Sequence, residues 1–100
     1  MIKHLVFFRM KDEARGQRGE DNAWHLVQQL LALKDEIPEL VSLEAGTNFT
    51  DAPTAFDVGL YTAFNSKEDL EAYRVHPAHQ KVVEFITETT DERALVDFED

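Results

Sequence analysis

The chain has no cysteine. That excludes a disulfide framework, a thiolate metal site and a cysteine nucleophile. Cations are scarce: ten Lys+Arg face twenty Asp+Glu, a formal net charge of −10. Such a surface repels phosphate backbones, which need clustered cations. Nucleic acid and anionic membrane are therefore set aside as partners, and the dispersed acids read as a solvated surface. Long hydrophobic runs are missing too, and no stretch approaches the ~20 apolar residues of a membrane span. The apolar start is broken by Lys3, His4 and Arg9 and has no small-residue cleavage site, so no signal peptide is expected. The expected location is the cytoplasm. There is no Gly-x-Gly-x-x-Gly, Walker or Gly-x-Ser-x-Gly motif, which leaves nucleotide cofactors and serine hydrolysis without support. No cofactor is expected.

What remains is a chain of 100 residues, 43% hydrophobic. That is enough for one domain, residues 1–100, with one modest core. Residues 2–10 read as a strand that is apolar on both faces, with Ile2, His4, Val6, Phe8 and Met10 on one side and Leu5 and Phe7 on the other. Residues 11–20 are polar with glycines at 16 and 19 and read as a loop. The apolar spacing of Ala23, Val27 and Leu30 predicts a helix over 21–37, capped by Asp21 or Asn22 and ended by Pro38. Strands are expected over 40–49 and 56–64. Ser66 to Asp69 opens a second helix by capping-box logic. His76-Pro77 breaks it, and Pro77 suits the first position of a further helix. Residues 93–99 form the last strand.

The order β-α-β-β-α-β predicts an α+β, ferredoxin-like sandwich: a four-stranded antiparallel sheet with both helical layers on one face. The other face carries large apolar side chains and has no cover from its own chain. Left bare, it would forfeit several kcal/mol at ~25 cal/mol per Å². A second copy is the expected cover, which makes a homodimer.

The densest cluster of functional groups runs from Tyr73 to Gln80, across the broken joint. Three readings of it stay open. In the first, Tyr73 and His79 do acid–base chemistry on a small molecule. In the second, His76 and His79 at i, i+3 begin a metal site, which would need further ligands that no cysteine supplies. In the third, His76 caps the helix that starts at Pro77 and Tyr73 packs. For the first, a straight helix would rotate His79 about 240° from Tyr73, leaving the two side chains about 120° apart, so the break must bring them together. The expected pocket then lies between sheet and helices. His4, Val6 and Phe8 reach it from the first strand, Val27 and Leu30 from the first helix, Val58 and Leu60 from the third strand, and His76 from the joint. Both Tyr73 and His79 are expected to face it.

Lys3-His4-Leu5-Val6, Leu33-Lys34-Asp35-Glu36-Ile37-Pro38 and the stretch from Leu70 to His79 resemble the stress-responsive dimeric α/β-barrel (Dabb) family. The resemblance spans nearly the whole chain and implies a ferredoxin-like subunit that dimerises through its sheets into a dimeric α/β barrel. Many members have no known activity. One plant branch consists of polyketide cyclases whose acid–base pair corresponds here to Tyr73 and His79, with His4 lining the same pocket. Val58 and Leu30 stand where those cyclases carry a histidine and a tyrosine, which implies a more apolar pocket. The resemblance also admits a non-enzymatic, stress-associated dimeric protein.

Overall fold

A computed structural model describes residues 1–100. The chain runs β1 (Ile2–Met10), β2 (Glu13–Ala14), β3 (Gln17–Arg18), α1 (Gly19–Ala32), a 3-10 turn (Leu33–Asp35), β4 (Ser42–Thr47), β5 (Val58–Phe64), α2 (Lys67–Val75), α3 (Pro77–Thr89) and β6 (Thr90–Glu99). The main sheet has the order β4-β5-β1-β6 and every pair is antiparallel. The fold is α+β and ferredoxin-like. No helix is long and apolar enough to cross a membrane.

Alternation along β1 decides the two faces. Ile2, His4, Val6, Phe8 and Met10 are buried under the helices, while Phe7, on the other face, is 39% exposed. The register carries this outward: Val6 lies opposite Leu60 on β5 and Leu95 on β6. Leu26, Leu30, Val82 and Ile86 of α1 and α3 close the core over the sheet. The uncovered face bears Leu5, Phe7, Tyr61, Val96 and Phe98, and the last two are 53% and 45% exposed.

Several boundaries differ from the sequence reading: α1 gives way at Leu33 to the 3-10 turn before Pro38 is reached, and β4 and β5 are trimmed to Ser42–Thr47 and Val58–Phe64. The polar stretch 11–20 is a small hairpin, with Arg15 and Gly16 both at positive φ, the turn that matches strand twist. Its pairing is carried by backbone, so no apolar alternation announces it. The first helix begins at Gly19, not Asp21. Asn22 is not its cap: its buried side chain donates to the Ala14 carbonyl and ties helix to hairpin. Gly19 is required there, since a Cβ would meet the Lys11 carbonyl oxygen at 2.5 Å. The last strand begins at Thr90, not 93, because backbone pairing with Met10 across a bulge recruits polar residues.

Candidate functional site

The joint between α2 and α3 is built by two backbone departures and three side chains. Pro77 has no N–H, so the Tyr73 carbonyl cannot make its ordinary helical bond and takes the His76 N–H instead. His76 is extended (φ −62°, ψ 135°), and its Nδ1 accepts the Ala78 N–H at 3.1 Å. That diverts the donor that would have served the Arg74 carbonyl. Side chains satisfy that carbonyl in its place: the His79 Nδ1–H donates at 3.0 Å and the Gln80 amide at 2.6 Å.

A carbonyl only accepts, so the His79 proton sits on Nδ1 and the Nε2 lone pair is free. Burial lowers the His79 pKa from its ordinary value, partly opposed by the Arg74 carbonyl; the positive charge His4 and other neighbours can carry lowers it further. His79 is thus a neutral imidazole with one basic nitrogen. Its ring lies 4.3 Å from the Tyr73 ring, centroid to centroid, despite the six residues between them. The break does what a straight helix cannot.

Tyr73 is wholly buried, packed against Phe64 at 5.1 Å and edge-on to His4 at 6.1 Å. Its hydroxyl has no hydrogen-bond partner. Burial pushes its pKa upward, so it stays protonated and can only donate or accept as a neutral group. On β1, His4 is 8% exposed, and its Nδ1–H donates to Asp97 of β6 at 2.5 Å. Asp97 pairs with His4 in the strand register, so neighbouring strands hold the two side chains together on the helix side of the sheet.

A cleft of about 440 Å³ opens beside this cluster, between the β1–β6 half of the sheet and the broken helix. Such a volume is typical of small-molecule sites. His4, Val6, Phe8, Leu30, Leu60 and His79 line it. Tyr73, Val27, Val58 and His76 do not, which corrects the expected lining. Tyr73 stands behind the wall that His4 and His79 form. Val27 packs within the core. Val58 lies opposite Phe8, two residues from Leu60 along β5, and is 1% exposed. His76 is turned to its capping bond.

Sequence reasoning missed Val83 and Ile86 of α3, and Arg93 and Leu95 of β6, which also line the cleft. Val83 and Ile86 stand four and seven residues after His79, the spacing of one helix face, so that signal was present. Arg93 and Leu95 alternate with Ala94 and Val96, but nothing local says which set meets the helices. No group of three or more histidine or acidic side chains is arranged to hold a metal. A second cleft, of about 660 Å³, lies at the far end of the sheet near Trp24, Asn48 and Asp57. There the Asp57 carboxylate already accepts the Met10 N–H at 2.7 Å, and Arg18 pairs with Glu20.

Residues 2–100 match the family model of the Stress responsive A/B Barrel Domain. An uncharacterized protein of Streptomyces coelicolor is 35% identical over 80 residues, 80% of each chain. A stress-response A/B barrel domain-containing protein of Arabidopsis thaliana is 30% identical over 98% of this chain, which spans only 36% of that protein's length. Among solved structures, a dimeric protein of unknown function with a ferredoxin-like fold from Bacteroides fragilis superposes with a TM-score of 0.86. It is 26% identical, over 99% of this chain and 95% of that one. A hydroxynitrile lyase from Passiflora edulis shares the fold at a TM-score of 0.80 and 16% identity, over 97% of this chain and 90% of its own.

Proposed function

The chain belongs to the stress-responsive A/B barrel domain family, and from that premise we propose that it binds a small, largely apolar molecule in the cleft beneath the helix break. One observation carries the reading: His79, neutral and with Nε2 unengaged, lines a cleft whose remaining wall is mostly hydrocarbon. A half-buried base beside apolar walls suits removal of a proton from carbon next to a carbonyl. His79 is the group assigned to that step. Tyr73 supports it from behind, and its unpartnered hydroxyl is a donor held in reserve between two histidines. The acid–base chemistry is of the kind the cyclase branch uses, and the more apolar lining favours a ligand with few carbonyls.

The bare sheet face supports a homodimer, with a second copy covering Leu5, Phe7, Tyr61, Val96 and Phe98. The similarity to the dimeric Bacteroides protein supports the same assembly.

The test uses His79→Asn. The asparagine amide can keep the bond to the Arg74 carbonyl while Nε2 is lost. With benzoylacetone as probe, the wild type should shift the amide signals of Leu95 and Val83. It should also exchange the probe's α-protons with deuterium above the buffer rate. His79→Asn should retain the signal shifts and lose the exchange. Shifts confined to the far cleft near Trp24, or exchange undiminished in the variant, would overturn the reading.

A further inference from the structure

We infer that the ligand of this cleft is a monocarboxylate with an apolar body, held at its anionic end by Arg93. This rests on the cleft being a binding site and adds the chemical class it takes. The chain has five arginines. Arg9, Arg15, Arg18 and Arg74 pair with Glu92, Glu88, Glu20 and Glu71. Arg93 makes no ion pair, in a chain where acids outnumber cations two to one. With acid so abundant, an arginine left alone is the exception.

Its position gives that exception meaning. Arg93 lies opposite Phe8 on β6, two residues before Leu95, and all three line the cleft. A guanidinium there offers its fork of N–H donors to a carboxylate at the edge of an apolar wall. The other rim cation, Arg74, is already matched by Glu71 at 2.9 Å. One free positive charge therefore remains, which suits one carboxylate. The net charge of −10 opposes the approach of any anion. A local cation has to overcome that, and Arg93 is the one available in the cleft.

The rest of the lining sets the body of the ligand. Apart from Glu71, Arg74 and Gln80, the remaining wall (Val6, Leu60, Val83, Ile86 and Leu95 among it) presents hydrocarbon, which disfavours a sugar or a second charge. Along β6, Arg93 stands four residues from Asp97, the partner of His4, a span of about 13 Å. A ligand that starts at Arg93 and reaches toward the histidines is an aryl acid or a medium-length acyl acid.

The test compares each acid with the alcohol of the same carbon skeleton: octanoate with 1-octanol, and 2-naphthoate with 2-naphthalenemethanol. Each is titrated into the whole chain and followed by amide chemical shifts. The wild type should bind each acid roughly tenfold or more tighter than its alcohol. Arg93→Leu should erase that preference, so that each acid binds no tighter than its alcohol. Arg93→Gln, which keeps a polar exposed side chain, repeats the comparison should the leucine variant fold poorly. Acid and alcohol binding equally to the wild type, or a preference that survives both variants, overturns the carboxylate assignment while leaving the cleft a binding site. No cleft shifts with any of the four probes overturns both.

Discussion

At the scale of single residues, His79 links stability and chemistry through one proton. Its lowered pKa means that the folded chain prefers the neutral ring. The unfolded chain titrates near 6.5, so below that pH it binds the proton more readily than the folded one. The stability tied to neutral His79 is therefore complete above about pH 6.5 and is lost as pH falls through the folded-state value. The His79→Asn variant should lack this loss. Urea midpoints of wild type and variant, measured between pH 7.5 and 5, should diverge as pH falls, with the wild type declining more. Parallel curves would contradict the burial assigned to the ring. From the sequence Tyr73 stood open between packing and acid–base work, with its side chain expected to face the cleft. Its isolation from the cleft was not legible, because hydroxyl exposure depends on side chains from β1, β5 and α3 at once.

At the scale of elements, the helix break is the feature the sequence announced most clearly. Proline removes a donor and disfavours the helical region for the residue before it, and both effects are local. The expected cap is present at His76. Losing an N-cap acceptor typically costs about 1 kcal/mol. His76→Ala should be destabilised by about that amount in urea unfolding, and His76→Asn, a good cap, should recover most of it. An alanine variant as stable as wild type would show that Pro77 alone makes the joint. The hairpin at 13–18 and the early start of β6 escaped sequence reasoning for one shared reason. Their residues are polar and their pairing is made by backbone, which leaves no apolar pattern to read.

At the scale of the molecule, the uncovered sheet face sets the assembly. Two protomers of formal charge −10 repel each other, while Phe7 and Val96 favour contact. Salt screens the first and leaves the second, so dimerisation should tighten as ionic strength rises. Phe7→Glu places a charge in the middle of that face and should yield a monomer. Sedimentation equilibrium at micromolar concentration, in low and high salt, reads both effects. A wild-type monomer at every salt concentration would remove the dimer. The cleft lies on the opposite face of the sheet, so the monomeric variant should still shift its cleft amides with the naphthoate probe.

The sequence alone determined the order of the four long strands and the helices between them, the antiparallel sheet, the sorting of β1 side chains into two sets and the break at Pro77. Each follows from forces between residues a few positions apart: alternation, helical period, capping and the constraints of proline. Only the tertiary structure decided the membership of the cleft. His4 meets Asp97 across 93 residues, and Arg93 comes beside Phe8 only because β6 pairs with β1. Which of two alternating sets on β6 faces the helices, and whether a buried hydroxyl reaches open space, depend on register and on packing from three elements. No local pattern encodes those, since register is the joint minimum of contacts distant in the chain.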